Sequence, residues 1–103
     1  MGKPSKIRAR AEGGKVEVKA LLAHDMETGR RKNANGETVP AWFIQEVQVR
    51  HNGEMVLHAY WGTAVAKNPF LAFSFEGGKV GDALEITWHD NLGDSRTDST
   101  QVV

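Results

Sequence analysis

The chain has 103 residues, which is enough for one folded domain and too few for two. Thirteen Lys and Arg residues balance thirteen Asp and Glu residues, and 40% of the sequence is hydrophobic, a composition typical of globular proteins. No apolar run approaches the about 18 residues of a membrane-spanning helix, and the start lacks the apolar stretch of a signal peptide. The lack of cysteine excludes disulfide and thiolate chemistry on this chain. We therefore predict a single domain over residues 1–103 with no membrane partner.

The charges are divided unevenly along the chain. Residues 1–32 carry nine basic and four acidic side chains, a net charge of +5, and the remainder carries −5. The basic residues Lys6, Arg8 and Arg10 alternate with small apolar residues, which is typical of the solvated face of an edge strand. No aromatic residue is interleaved with them, so no nucleic-acid partner is predicted.

Apolar residues recur at every second position along most of the chain, and no helical periodicity persists beyond one turn. This alternation predicts strands with one buried face each. The inward sets, in chain order, are Ile7, Ala9 and Ala11; Val16, Val18, Ala20 and Leu22; Met55, Leu57, Ala59 and Trp61; Leu71, Phe73 and Phe75; and Leu84, Ile86 and Trp88.

The segment from Ala41 to Arg50 changes its parity. Its inward residues shift from Trp42 and Ile44 to Val47 and Val49, which indicates a β-bulge near Gln45-Glu46. The alternative is a strand that is covered on both faces for part of its length.

Glycine and asparagine separate these strands. Gly13-Gly14 and Asn52-Gly53 supply the positive φ angles of tight hairpins. The His24–Pro40 loop, of about seventeen residues, is long for a compact domain and is expected to be functional or mobile. The tail from Asp94 to Gln101 is polar on both faces, as in a solvated edge strand. Short strands at this spacing indicate a two-sheet sandwich, and Trp88 is the candidate for its central aromatic residue.

The four histidines each fall on a different predicted element, and none has the spacing of a known ligand pair. The sharpest metal candidate is His24 with Met26, because imidazole and thioether suit copper. Only Met26 and Met55 remain after the initiator, however, so His24 is expected to be a surface loop residue. His24-Asp25 and His89-Asp90 resemble base–orienter pairs, but no serine lies in a nucleophile context. We predict no metal, no other cofactor and no catalytic residue.

A partner interface is predicted on the outer faces of the sheets. Val56, His58 and Tyr60 alternate with the inward residues of their strand, and Phe70 is out of phase with Phe73 and Phe75. A semi-apolar outer face suggests a surface that another protein covers, although scattered exposed apolar residues are also normal. With Trp42 beside the bulge, the candidate interface residues are Trp42, Val56, His58, Tyr60 and Phe70.

Several runs, in order over residues 5–100, resemble the SoxZ subunits of the bacterial sulfur-oxidising (Sox) pathway. Together they are specific, whereas any one alone is weak. They are His24-x-Met26-Glu27-Thr28-Gly29-x-Arg31; Pro40-Ala41-x-Phe43-Ile44; Asn52-Gly53; Asn68-Pro69-Phe70-x-x-Phe73-x-Phe75; Gly77-Gly78-x-x-Gly81-Asp82; and Trp88-x-Asp90-x-x-Gly93.

The resemblance implies an all-β, immunoglobulin-like β-sandwich of about seven antiparallel strands with no disulfide. It also implies a non-enzymatic subunit that pairs tightly with SoxY. SoxY carries sulfur intermediates from thiosulfate on a cysteine at the end of a flexible arm and presents them to the other Sox enzymes. The family is periplasmic, exported on the partner's signal.

Two alternatives stay open: a periplasmic copper-binding sandwich that uses His24 and Met26, and a general protein-interaction module. Without its partner, the apolar patch of the candidate interface can also pair with itself in a homodimer.

Overall fold

The structure, a computed structural model, describes residues 2–103 and contains no helix in that range. Its strands are β1 (Lys6–Glu12), β2 (Lys15–Leu21), β3 (Ile44–His51), β4 (Glu54–Tyr60), β5 (Phe70–Glu76), β6 (Ala83–Asp90) and β7 (Ser95–Gln101). All paired strands are antiparallel and form a three-stranded sheet, β1-β2-β5, and a four-stranded sheet, β4-β3-β6-β7. No helix able to cross a membrane occurs between residues 2 and 103. The predicted all-β, seven-stranded sandwich is confirmed.

The two inner faces form the core that the alternation predicts. The inward apolar residues of β2 and β6 are at most 1% exposed, because both strands lie between neighbours in their sheets. Trp88 is the largest fully buried side chain and is 1% exposed, which confirms its central place. β7 lies at the edge of the four-stranded sheet, as its polar sequence predicts.

Two bulges shift the register of the four-stranded sheet. Ile44 pairs with Asp90 and Glu46 with His89, so that Gln45 is the extra residue and the predicted bulge is confirmed. The second bulge was not predicted. Two successive residues of β3 pair with Leu57 and Met55, which leaves Val56 as an extra residue in β4.

The Val56 bulge changes which side chains face inward at the start of β4, whereas Leu57 and Ala59 keep their predicted inward side. Met55, predicted to face the core, is 38% exposed, so that prediction is wrong. Val56, predicted to face outward, is half-buried and packs against the core.

The sandwich is closed along one side and open along the other. On the closed side, the Val103 amide donates to the Ala9 carbonyl and the Ala11 amide donates to the Val103 carbonyl, each at 2.9 Å. Val103, which lies just beyond β7, thereby joins β1 to the edge of the four-stranded sheet. On the opposite side, which we call the open side, no hydrogen bond between β4 and β5 is found among residues 2–103.

The His24–Pro40 loop belongs to a long hairpin at one end of the sandwich, which we call the hairpin end. Isolated bridges pair Glu27 with Trp42 and Lys32 with Thr38, and residues 30–38 are all exposed. The radius of gyration is 15.4 Å, above the ~13 Å typical of a compact domain of this length. The same end holds the 61–69 connection and the turn between β6 and β7.

We expect Trp88→Ala to lower the free energy of unfolding by about 3–5 kcal/mol, because it empties the largest buried site of a single small core. Tyr60→Ala is the control: Tyr60 is also aromatic but is 75% exposed, so its loss is expected to be about 0.5 kcal/mol or less. Equilibrium denaturation measures both values, and a loss below about 1 kcal/mol for Trp88→Ala would contradict the assigned core.

Candidate functional site

His24 is buried at the hairpin end, so the prediction of a surface loop histidine is wrong. Its side chain is 1% exposed and lies between two tryptophan rings, 4.7 Å from Trp42 and 5.2 Å from Trp88 between ring centroids. The Met26 amide donates to Nδ1 at 3.0 Å, and Nε2 lies 3.2 Å from Oδ2 of Asp90. Because Nδ1 accepts a hydrogen bond, the ring proton resides on Nε2, which donates to Asp90.

The Asp90 carboxylate accepts four hydrogen bonds. Oδ2 accepts from Nε1 of Trp42 at 2.7 Å and from His24, and Oδ1 accepts from the amides of Leu92 and Asp94 at 3.0 and 2.9 Å. Burial acts to raise the pKa of Asp90, but the donors, Trp42 foremost, outweigh it, and the net pKa is lowered. The group is therefore a carboxylate with its lone pairs filled, and it has no free acceptor for a substrate.

The network fastens the base of the long hairpin to the sandwich. The Asn91 side chain accepts from the Phe43 amide and donates to the Ala41 carbonyl, both at 2.8 Å. On the other arm of the hairpin, Asn68 accepts from the His24 amide through its side chain, and its own amide donates to the His24 carbonyl. The turn between β6 and β7 and the 61–69 connection thus hold both arms.

The base–orienter pairs suggested by the sequence do not form within each dipeptide. His24 pairs with Asp90, 66 positions away, whereas Asp25 and His89 are both exposed. Both ring nitrogens of His24 are engaged in hydrogen bonds within the protein, so the role of this side chain is structural.

The side chains of the predicted copper site, His24 and Met26, are also engaged in hydrogen bonds within the protein. The Met26 sulfur accepts the Ile44 amide at 3.3 Å, and both nitrogens of His24 are bonded within the protein. Between residues 2 and 103 no group of three or more His, Cys, Asp or Glu side chains is placed to hold a metal ion.

The five predicted interface residues fall at four different places. Tyr60 and His58 lie together on the outer face of the four-stranded sheet, with ring centroids 4.7 Å apart, and Nε2 of His58 is 3.2 Å from the Glu46 carboxylate. Phe70 lies on the outer face of the other sheet and is 64% exposed. Trp42 is half-buried in the His24 network, and Val56 packs against the core. Their role in partner binding stays a prediction.

The outer face of the three-stranded sheet contains an apolar residue that the sequence interpretation missed. Leu21, 39% exposed, is paired with Phe70 on one side and with Lys6 on the other, so that these three side chains form one row across the sheet. The next row places Arg8 directly opposite Lys19. Because successive residues of a strand point to opposite faces, adjacent Leu21 and Leu22 cannot both face inward. The sequence therefore indicated that one of these two leucines is exposed.

Comparison with solved structures shows the fold. A hypothetical protein from Pyrococcus horikoshii OT3 has a TM-score of 0.67 and 15% identity, with 99% of this chain and 89% of that chain covered. Superoxide reductases (neelaredoxins) from Archaeoglobus fulgidus, as a mutant in the reduced form, and from Ignicoccus hospitalis have TM-scores of 0.65 and 0.62 and identities of 19% and 14%. The two alignments cover 97% and 98% of this chain and 89% and 80% of those chains. At such identities the likeness concerns the fold alone.

None of the curated proteins compared with the chain matches it. The family model described as "Sulphur oxidation protein SoxZ" matches residues 6–101, nearly the whole chain. This match confirms the resemblance carried by the sequence motifs.

We expect Asp90→Asn to lower the free energy of unfolding at neutral pH by about 1.5–3 kcal/mol. The side-chain nitrogen of asparagine is itself a donor, so it would face N–H groups that the carboxylate oxygens of Asp90 now accept. The exposed Asp25→Asn is the matched control and is expected to change stability by about 0.5 kcal/mol or less. Urea denaturation measures both.

The same pair of variants tests the pH dependence. The pKa of Asp90 is lowered from its usual 3.8, so the stability that its ionisation contributes is present above about pH 4 and is lost as the pH falls through the lower folded-state pKa. The difference between wild type and Asp90→Asn should therefore shrink below about pH 4. A difference that stays constant from neutral to acidic pH would contradict the assigned role of the carboxylate.

Proposed function

The chain belongs to the SoxZ family of sulphur oxidation proteins, and from this membership we propose that it is the non-catalytic subunit of a two-chain sulfur carrier. In this complex a SoxY-like partner bears the cysteine to which sulfur intermediates of thiosulfate oxidation are attached. The present chain holds that partner. The observation that carries the proposal is the family match over residues 6–101 in a sequence without cysteine.

The chemistry of the carrier favours a partner subunit without thiols. Sulfur adducts on cysteine exchange by attack of a thiolate, so a second accessible thiolate in the complex would compete for the adduct. A chain with no cysteine cannot intercept it. The proposal thus assigns the covalent step to the partner and the positioning of that partner to this chain.

The setting of the complex follows from the same proposal. We infer that the pair acts in the periplasm, where the carrier cysteine is presented in turn to the other Sox enzymes. Export on a signal of the SoxY-like partner, which the family resemblance implies, is part of the same proposal.

The exposed aromatic residues support binding to another protein. Tyr60 and Phe70, at 75% and 64% exposure, are the most exposed aromatic side chains of residues 2–103. They end β4 and begin β5, so both lie at the hairpin end along the open side. Aromatic residues of this kind are the usual anchors of protein interfaces.

The first test of the proposal is mass spectrometry of both chains after incubation with thiosulfate and the remaining Sox components. We expect the mass of this chain to be unchanged, because it has no thiol, and sulfur adducts to accumulate on the SoxY-like partner. A stable sulfur adduct on this chain would overturn the assignment of a non-catalytic holding subunit.

The second test locates the anchors. We expect Tyr60→Ala and Phe70→Ala each to weaken binding of the SoxY-like partner by about 2 kcal/mol. Lys6→Ala, which alters the charge in the row that contains Phe70, is expected to cost about 0.5 kcal/mol or less. Val80→Ala is the control for loss of an exposed apolar side chain, since Val80 is 72% exposed at the opposite end.

Calorimetric titration measures the four affinities, and circular dichroism checks that each variant is folded. A larger loss from Lys6→Ala than from Tyr60→Ala, with both folded, would move the interface away from the aromatic residues.

A further inference from the structure

The β5 edge of the three-stranded sheet presents unpaired backbone groups along the open side. β5 pairs with β2 in unbroken register over all seven residues. Just beyond the strand, the Leu22 amide donates to the Pro69 carbonyl and the Gly77 amide donates to the Gly14 carbonyl. Because hydrogen-bonded pairs alternate in an antiparallel ladder, the odd-numbered residues of β5 bond to β2 and the even-numbered ones point away. The amides of Ala72 and Ser74 therefore face the open side.

The other strand edges carry the features that block pairing, and the β5 edge does not. β1 alternates basic residues and is joined by the chain end, β7 is polar throughout, and β4 is interrupted by the Val56 bulge. From Phe70 to Phe75 there is no charge, no proline and no bulge. Edges that natural proteins leave to solvent are normally charged, bulged or covered, so this regular apolar edge is suited to receive a further strand.

The inner face of β5 is incompletely covered. Phe73 and Phe75 are only half-buried, although Val18 and Val16, their partners in β2, are 0% exposed. A strand added beside β5 would continue the inner face and cover these rings with every second side chain. Apolar residues are therefore expected at those positions of the added segment.

The outer face beside the edge sets the charge of the added segment. Ala72 and Ser74 are small, and the residues paired with them in β2 are Lys19 and Glu17. Nζ of Lys19 lies 3.4 Å from the Glu17 carboxylate, so the two charges offset each other. The neighbouring surface thus favours neither sign, and an uncharged segment matches it.

We propose that the β5 edge receives an extended, uncharged segment of the SoxY-like partner, with apolar residues at alternate positions, as an added strand of the three-stranded sheet. The inference rests on the proposed function and goes beyond it by naming the edge and the form of the bound segment. Phe70 begins this edge, so the added strand is continuous with one of the two aromatic anchors. Main-chain hydrogen bonds supply affinity in this mode, and the alternate side chains supply specificity.

The experiment titrates the full-length SoxY-like partner into wild type, Ser74→Pro and Ser99→Pro. Proline at Ser74 removes an amide that points to the open side and breaks no bond to β2, which edge strands tolerate. Ser99 in β7 is the matched control. The backbone hydrogen bonds between Asp90 and Asp94 and between Asp82 and Val102 show that the even-numbered residues of β7 bond to β6. The amide of the odd-numbered Ser99 therefore also points away from its neighbouring strand. We expect Ser74→Pro to weaken binding by about tenfold or more and Ser99→Pro to leave it within about twofold.

Amide hydrogen exchange on the wild type gives a readout that does not depend on the variants folding. The Ala72 and Ser74 amides are expected to exchange fast in the free chain and to be protected in the complex. If the wild type binds the partner but these amides stay unprotected, the edge assignment is overturned while the proposed function stands. The same conclusion follows if Ser74→Pro binds with full affinity. If these amides are protected in the isolated chain and the chain forms a dimer, the edge pairs with a second copy, and the proposal of a strand from the partner is overturned. Failure of the wild type to bind would overturn both proposals.

Discussion

Four hydrogen bonds to the carboxylate of Asp90 hold the hairpin end together. Burying a charged carboxylate costs several kcal/mol unless its lone pairs are filled, so each donor is required once the group is inside. Two of these donors come from the hairpin arms, His24 and Trp42, and two come from the turn that follows β6. A long, polar, exposed hairpin is thereby fixed at its base to β6, a central strand of the four-stranded sheet. The ring of His24 in turn packs against both Trp42 and Trp88, which couples the polar network to the apolar core.

The asymmetry of the sandwich follows from how its two sides are finished. On the closed side the last residue of the chain bonds to β1, and the edges there need no further partner. On the open side β4 and β5 end their sheets without such a bond, and their inward residues, which include the large rings of Phe73 and Phe75, are half-buried. Most inward residues of β1 and β7 are half-buried too, but those of β7 are polar and those of β1, apart from Ile7, are small. In the proposed complex, the closed side stabilises this chain by itself and the open side is left for the partner. The incomplete side is then where a partner gains most by burying apolar area.

The strands and most of their faces could be predicted because period-two alternation reports burial directly. The Gln45 bulge could be predicted because two polar residues, instead of one, separate the apolar residues Ile44 and Val47. The Val56 bulge could not, because Met55, Val56 and Leu57 are all apolar and a change of parity leaves no contrast in the sequence. The His24–Asp90 pair was missed for another reason. It joins residues 66 positions apart, and sequence gives the neighbours of His24 along the chain but not those that the closing of two loops brings to it. The interface residues were selected by parity alone, which assigns a face but not a sheet, and so Tyr60 and Phe70 fell on different ones.

The uneven distribution of charge acquires a physical meaning once the sheets are known. Most of the basic residues of the first two strands lie on the outer face of the three-stranded sheet, where Arg8 stands directly opposite Lys19. Like charges placed opposite each other across two strands reduce stability, so the fold alone gives no reason to keep them there. They are exposed and screened by salt, which limits their share of any binding free energy. In the proposed complex, the basic residues of β1, which β2 separates from the β5 edge, act instead on the approach of the partner, raising the association rate and making it dependent on ionic strength. In the same proposed complex, the aromatic residues Tyr60 and Phe70 and the outward-pointing amides of β5 would determine how long the partner stays bound, because dissociation depends on contacts that are desolvated in the complex.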